Sequence, residues 1–484
     1  MKLKILSILA LTISATTALA QNEDDAIRYS NIVPLGTAKF ISMGGAMGAI
    51  GGDMSAIAIN PAGVGIYRTE QISLSPTWTT DKVSAKYYGT SANNSTSSFK
   101  FSNVGIVTTF PAEQNLGCMS FSMGLVYNRM ANFEGGYTVK GFNAMSSMLD
   151  KEVDDFNADV WDGNQFYKAD LFVYDSAVNK YFNDYELAGE YGANQRKSVS
   201  TSGSMGEYDI SLGLNFSNKW YLGGSLNIMR INYRQMSKYI EEPDIDNFAF
   251  SDFTVTDEFV TTGCGVNMKF GLIGWLSENL RVGAAFHTPT ILTLSDDYGT
   301  RVESNVWYND KDGEYKKYSD NESNSGVDWN LTLPAKFIGS LAIVSPEHGM
   351  LDIDCEVVNY SSTILDDADG YIGNEYDDLN DRISDIYRTT VNLRVGGEMT
   401  FGPAVARAGF GFYGSPYKSG YENASSNKLV YSVGLGWRSQ HASIDLGYSL
   451  TTQKETTYLY GFDDSAASLK RKNGNLALTF GVRF

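Results

Sequence analysis

The sequence predicts an all-β fold: a closed, 14-stranded antiparallel transmembrane β-barrel with an N-terminal hatch inside its lumen. Three observations predict it. Period-2 segments carry apolar residues on one parity and charges on the other, short connectors alternate with long ones, and the chain opens with an export signal. The last segment shows the pattern well: Leu476, Leu478, Phe480, Val482 and Phe484 share one face, and Asn475, Thr479, Gly481 and Arg483 the other. In lipid, a closed barrel is the β-structure that leaves no backbone group unpaired.

Residues 1–20 read as a signal peptide. Lys2 and Lys4 form its positive region, Ile5 to Ile13 its apolar core, and Ala18-Leu19-Ala20 a small-x-small cleavage site. Maturation then starts the chain at Gln21, which is not the Cys that a lipid anchor needs. No later apolar run reaches the roughly 18 residues of a spanning helix, so any membrane span must be β. Loss of Lys2 and Lys4 takes the formal net charge from -18 to -20, which makes nucleic acid a poor partner. Thirty Tyr and 48 Gly beside 10 Pro suit a barrel with aromatic girdles. Cys118, Cys264 and Cys355 fall in separate strands without metal spacing and are read as small hydrophobes, with Cys264 and Cys355 on the lipid-facing parity.

Period 2 and turn signals place strands near 70–89, 97–110, 117–131, 204–217, 219–235, 254–275, 279–294, 328–345, 349–362, 387–401, 403–415, 428–439, 441–453 and 473–484. Connectors after the even strands are tight, as at Ser217-Asn218 and Gly402-Pro403. Those after the odd strands from the third onward are longer: 132–203, 236–253, 295–327, 363–386, 416–427 and 454–472. This asymmetry fits an outer-membrane barrel at residues 70–484, with the tight turns and both termini periplasmic.

Charge tests the assignment independently, because a cation on the lipid face near mid-membrane costs about 2–4 kcal/mol. In the central windows of strands 4 to 14, charged residues from Asp209 through Arg483 all fall opposite the apolar parity. Arg230 and Glu258 break parity near the expected extracellular ends, where that cost fades. A soluble sandwich would also alternate, but it has no need of matched long and short loops.

Between the signal and strand 1, residues 21–69 lack alternation, carry eight glycines from Gly36 to Gly65, and are too apolar for a disordered tail. They suit a compact plug in the lumen. The stretch from Gly36 through Lys39, Met43-Gly44-Gly45, Gly51-Gly52-Asp53 and Ala56 to Asn60-Pro61-Ala62-Gly63 resembles the N-terminal hatch of the FadL/OmpP1/TodX family of outer-membrane transporters for hydrophobic compounds, most closely its Bacteroidetes branch. Similar segments follow at Asp352–Tyr360, Leu393–Glu398 and Arg407–Pro416, so the resemblance covers nearly the whole mature chain.

The resemblance implies passive uptake of hydrophobic compounds, long-chain fatty acids being the best-known case, across the bacterial outer membrane. Ligand would be captured among long extracellular loops, held above the hatch, and released sideways at an inward kink of strand 3. Asn60, Pro61 and Ala62 would lie against that kink. Gly124 is a candidate kink position by glycine's backbone freedom rather than by the resemblance. The partners expected are a fatty-acid-like ligand and the membrane's own lipid and lipopolysaccharide. The barrel is expected to be monomeric and to need no cofactor or metal.

In loop 132–203, Met145, Met148, Leu149, Val153, Phe156 and Val160 keep helical spacing, as do Val178, Tyr181, Phe182 and Tyr185. Met145, Met148, Leu149 and Phe156 are the candidates for a capture groove; a self-packed lid is the competing reading. Arg388 and Arg394 are the candidates for holding a ligand carboxylate, against the plainer reading that lumen charges pair across neighbouring strands. Eight acids in loop 363–386 read as a solvated loop, since Asp367-Ala368-Asp369-Gly370 is too short for a calcium loop. With three histidines and no GxSxG or HExxH motif, catalysis is not expected. The alternatives to lipid uptake are a surface adhesion protein anchored by its barrel and a channel for haem or other aromatic compounds.

Overall fold

A computed structural model describes residues 21–112, 117–160, 163–246, 248–307, 315–345, 347–368 and 376–484. The signal peptide expected at 1–20 lies outside them. The chain forms a closed barrel of fourteen antiparallel strands, each paired with its neighbours in sequence. Closure joins strand 1 to strand 14, from Gln71 opposite Arg483 to Lys86 opposite Ser468.

Strand 1 is Gln71–Tyr87, strand 2 Thr90–Pro111, and strand 3 runs as Cys118–Asn132 continued by Gly135–Asn143. Strands 4, 5 and 6 are Ala193–Phe216, Trp220–Pro243 and Phe250–Trp275. Strands 7 and 8 are each built in two pieces, Leu280–His287 with Thr290–Trp307, and Tyr315–Leu333 with Lys336–Ser345. Strand 9 is Gly349–Asn359, resumed at Ile364–Asp367; strands 10 to 14 are Thr389–Phe401, Ala404–Tyr413, Lys428–Arg438, Ala442–Tyr458 and Ala466–Arg483.

At the tight-turn end these bounds meet the sequence expectation within a residue or two. At the other end several strands run much further: strand 2 starts at Thr90 rather than 97, strand 4 at Ala193 rather than 204, and strand 7 continues to Trp307 rather than 294. The reason is physical. Beyond the lipid both faces of a strand are polar, so the hydrophobic period fades while the backbone ladder goes on pairing. Loops 132–203, 236–253 and 295–327 are correspondingly shorter than expected. Loop 363–386 is more than a solvated acidic stretch: helix Asp377–Ile386 buries Leu379 and Ile383, and its Arg382 Nε lies 2.7 Å from Glu23 of the N-terminal segment.

Parity sorts the wall into an apolar outside and a charged inside. Leu435, Val433 and Trp437 stand outward and exposed, as do Ile353, Leu351 and Ile343, whereas Asp209, Lys269, Asp352, Asp354, Glu356, Arg394, Glu398, Arg407 and Asp445 are all buried. The inward ions pair across strands. Arg407 Nε lies 2.6 Å from Glu398 and its Nη1 2.7 Å from Asp445, while Arg438 reaches Glu398 at 2.7 Å. Cys264 is exposed on the outward parity, Cys355 shares that parity, and the cysteines are unbridged.

Breaking such a buried cluster is costly because the partner charges remain behind. Arg407→Leu, which strands Asp445 and leaves Glu398 to Arg438 alone, is expected to destabilise the barrel by roughly 3–5 kcal/mol. A lowered midpoint in heat-modifiability on a gel checks this; an unchanged midpoint would mean the pair adds nothing to the wall.

Candidate functional site

The N-terminal segment runs inside the barrel through four short helical turns, Glu23–Arg28, Ala38–Ser42, Ala56–Ala58 and Pro61–Ile66. Its small residues let backbone approach wall closely. Gly51 takes φ +61, where an L side chain is strained, and a Cβ there would collide with Gly63.

Wall charges grip this segment through its backbone. Asp354 accepts the amide of Gly48 at 3.1 Å and that of Met47 at 3.2 Å, and Asp352 accepts that of Ala49 at 3.2 Å. Cationic and imidazole groups meet carbonyls: Lys269 Nζ donates to Ala58 O at 3.1 Å, Arg281 Nη1 to Ile50 O at 3.1 Å, and His287 Nε2 to Ile59 O at 2.9 Å. Lys269 is balanced by an ion pair to Glu207 and by Asp209 at 3.7 Å. Against strands 2 and 3 the contact is apolar and neutral: Met54 and Ile57 pack on Val107 and Val126, Ser102 Oγ of strand 2 donates to Gly36 O at 2.7 Å, and Ser55 Oγ donates to Asn128 Oδ1 of strand 3 at 2.9 Å.

Asn60, Pro61 and Ala62 do not lie against strand 3, as the resemblance had implied. Asn60 Nδ2 donates to Gly48 O at 2.7 Å and to Leu272 O of strand 6 at 3.2 Å, and its Oδ1 caps the amide of Ala62 at 3.1 Å. Pro61 and Ala62 sit where a side chain at Gly223 or Gly271 would stand, so two wall glycines on strands 5 and 6 make the room. Gly124 is no kink either. It pairs regularly with Val107 and Ser211, and the segment residue nearest to it is Ile57.

Strand 3 leaves its neighbour higher up. Its ladder to strand 2 spans Pro111–Asn103 against Ser120–Asn128 and goes no further, and a bulge at Arg129/Ala131 interrupts its ladder to strand 4. Beyond, Gly135–Asn143 stays with strand 4 and packs over the inner side of strand 1, Gly135 beside Asp81 and Gly141 beside Tyr87. Side chains bridge the seam so opened between strands 2 and 3. Arg129 Nε donates to Phe101 O at 3.1 Å, Asn132 Nδ2 to Ser98 Oγ at 3.0 Å, and Lys100 meets Glu134 at 3.0 Å. Phe99 and Phe101 stand exposed on the outer side, so the seam begins at the height of the lipid. The Gly135-Gly136 pair was the sequence signal for this departure, hidden in what reads as loop.

On the inner side of the seam lies a cavity of about 320 Å³. Its floor is the N-terminal segment at Ile32–Leu35, and Phe133, Tyr233, Tyr413 and Val430 give it apolar walls. Asp81, paired with Arg471 at 3.1 Å, lines it too. Lys428 enters the lining with its Nζ on Asn31 O and, at 3.2 Å, on Asn31 Oδ1. It has no carboxylate within ion-pair distance among the described residues.

The arginines expected to meet a ligand do not reach this cavity. Arg394 is fully buried between Glu356, at 3.0 Å, and Asp354, at 3.6 Å, and serves as a wall ion pair. Arg388 is exposed at the loop end of strand 10, where it donates to Ser415 O at 3.3 Å; it lies too far up the strand for its parity to place it in the lumen.

Above the cavity the loop 132–203 forms a lid, not an open groove. Helix Met148–Ala158 turns Leu149, Val153 and Phe156 into a closed apolar cluster with Tyr185, Tyr239, Phe250, Phe253 and Leu459, and Met148 packs on its edge. Met145 points away and is exposed. The helical spacing was sound, but its apolar face is consumed by the far ends of strands 5, 6 and 13, so Leu149 and Phe156 offer no surface to a ligand here.

No family model matches the chain, and no curated protein sequence matches it. Solved structures do. A FadL homologue of Pseudomonas aeruginosa aligns at TM-score 0.55 and 14% identity over 94% of this chain and 99% of that one. The P. putida toluene transporter TodX aligns at 0.53 and 13% over the same shares, and the Ralstonia pickettii toluene transporter TbuX at 0.50 and 12%, again over 94% and 99%. The fold is that of these FadL- and TodX-type barrels.

A hydrogen bond to a charged group contributes about 1.5–3 kcal/mol, so Asp354→Ala, which strips two amides of their acceptor, is expected to speed hydrogen exchange at Met47 and Gly48 by about one to two orders of magnitude. Exchange mapped by mass spectrometry on the folded barrel is the check; unaltered protection would mean the wall charge does not hold the segment.

Proposed function

We propose that this chain is an outer-membrane channel for passive uptake of hydrophobic compounds, and that its ligand is an amphiphile with an apolar tail and an acidic head, such as a long-chain fatty acid. Two neighbours of like fold are named as toluene transporters, which supports hydrophobic uptake in general. The choice of an acid rests on the cavity. Its volume of about 320 Å³ falls in the range of small-molecule sites, and its lining joins aromatic walls to Lys428, a cation held only by neutral oxygens of Asn31. A half-buried cation with no carboxylate in ion-pair reach is unfavourable, and a ligand carboxylate would relieve it; bare toluene would not.

In this reading the lid admits ligand from outside, the cavity holds it with its head on Lys428, and the tail leaves through the seam between strands 2 and 3. The seam suits release. It needs no ladder hydrogen bond broken, but side-chain bridges alone, those at Arg129, Asn132 and Lys100 and that of Asn94 to Thr138. The charged wall groups that hold the segment lie on strands 6 to 9, with Lys428 of strand 12 on Asn31, so the apolar contacts of Met54 and Ile57 and the neutral bonds of Ser55 and Gly36 on strands 2 and 3 are the weaker ones to shift. Asn60, Pro61 and Ala62 then act as an anchor of the segment on strands 5 and 6 rather than as the moving gate.

Labelled oleate uptake by cells lacking their own fatty-acid channel tests the proposal. Wild-type protein should confer uptake. Lys428→Ala should raise the half-saturating oleate concentration by about tenfold or more, the worth of one charged hydrogen bond, whereas Lys428→Arg should retain most of it and toluene uptake should not change. Absence of protein-dependent oleate uptake from a folded barrel would reject the fatty-acid assignment, and an unaltered concentration dependence in Lys428→Ala would remove Lys428 from the site.

A further inference from the structure

A second place in the wall lacks its ladder. Strand 7 stops at His287 and resumes at Thr290, strand 8 stops at Leu333 and resumes at Lys336, and strand 9 is interrupted between Asn359 and Ile364 by a turn of 3-10 helix, Tyr360–Ser362. The registers bring these breaks to one level. His287 pairs with Lys336 and Thr290 with Leu333, so Thr288-Pro289 faces Pro334-Ala335 without a ladder between them. On the next seam Lys336 pairs with Val358, and pairing resumes at Thr332 opposite Ile364.

The level is that of lipid. Phe337, Ile291 and Ile364 flank the break on the outer face and are 59%, 57% and 50% exposed. Backbone left unpaired in hydrocarbon costs several kcal/mol per group, and irregular backbone at that depth is tolerated where it lines a cavity. Both conditions are visible. Pro289 and Pro334 bring no N–H to the gap, while the amide of Thr288 is kept by Met268 O at 2.9 Å and that of Met268 by Thr288 Oγ1 at 3.0 Å.

Behind the break is a second chamber of about 50 Å³, lined on the wall side by Thr288, Leu333 and Pro334 and by Glu207, Lys269, His287, Lys336 and Glu356, and by Tyr29, Ile32 and Pro34 of the N-terminal segment. Ile32 and Pro34 also floor the large cavity, so the two chambers border the same stretch of the segment.

We infer that the break across strands 7 to 9 is a second lateral port, through which the apolar tail of a ligand passes between the large cavity and the surrounding acyl chains. It rests on the transport reading above. The port is shut in this structure by Ile32 and Pro34, and displacing that stretch joins the chambers. Its outer rim of Ile291, Phe337 and Ile364 presents hydrocarbon to the acyl chains, and the Lys269 and Glu207 that line the chamber behind it are paired with each other.

The test separates the two exits in the full-length barrel. Ser98→Cys with Asn132→Cys, whose native side chains already touch at 3.0 Å, clamps the strand 2–3 seam on oxidation. Pro289→Thr with Pro334→Thr returns two donors so that the strand 7–8 ladder can close, and Ala335→Trp, used separately, fills the gap without altering a proline. Heat-modifiability confirms that each barrel is folded. Oleate uptake should survive in part in the oxidised clamp, fall several-fold further when either gap variant is added, and return when the clamp is reduced. Uptake abolished by the clamp alone, or residual uptake indifferent to both gap variants, overturns the second port while leaving transport intact. Wild-type protein without oleate uptake removes the transport reading and the port with it.

Discussion

The structure depends on one constraint: inside a membrane no backbone group and no charge can be left facing hydrocarbon. The barrel answers the first demand by closure and the second by turning its ions inward, and the inward ions then need partners of their own. Many find them in each other, as Arg407 does with Glu398 and Asp445. Several also meet the N-terminal segment, whose amides at Met47, Gly48 and Ala49 meet acids and whose carbonyls at Ile50, Ala58 and Ile59 meet Arg281, Lys269 and His287. The segment is thus a counter-ion to the wall as much as an obstruction in it. These charged contacts are concentrated on strands 6 to 9, and the apolar and neutral contacts of Met54, Ile57 and Ser55 opposite them lie below the seam where strand 3 parts from strand 2.

Most of this fold could be read from parity, because parity is enforced by the same constraint. Where the wall is in lipid, each outward position is apolar, each inward charge announces the other face, and the tight turns fix the ends of strands to within a residue or two. Above the lipid the rule relaxes. Strand 2 begins in Thr90–Ser98, a run of small and polar residues in which no period can be seen, and Arg388 keeps the right parity at the wrong height. A position's face is local information; its depth depends on where the neighbouring strands end.

The site was less legible for a related reason. Helical spacing in Met148–Ala158 shows that Leu149 and Phe156 will be buried, but not that Tyr239, Phe253 and Leu459, from distant strands, will bury them. The Asn60-Pro61-Ala62 motif is recognisable, yet its neighbours are chosen by Gly223 and Gly271, two glycines that only closure brings under it. Lys428, the cation that the cavity leaves without an acid, stands at the first residue of strand 12, outside any window centred on the membrane. Its isolation is a fact about what surrounds it, and no pattern along the chain records that.

These placements bear on how an apolar molecule can cross a barrel filled with charge. A ligand seated over Ile32–Leu35 has beneath it the ions of strands 9 to 13, paired and buried, and moving straight down would separate pairs such as Arg394 with Glu356 in a medium that screens them poorly. Sideways, the wall is held at Arg129, Asn132 and Lys100 by side-chain contacts near the surface, each worth far less than an ionic layer. The lowest barrier for an apolar tail therefore lies through the wall and not along the axis. On the proposed reading, the paired ions of strands 9 to 13 would turn the ligand outward while those of strands 6 to 9 hold the N-terminal segment in the lumen.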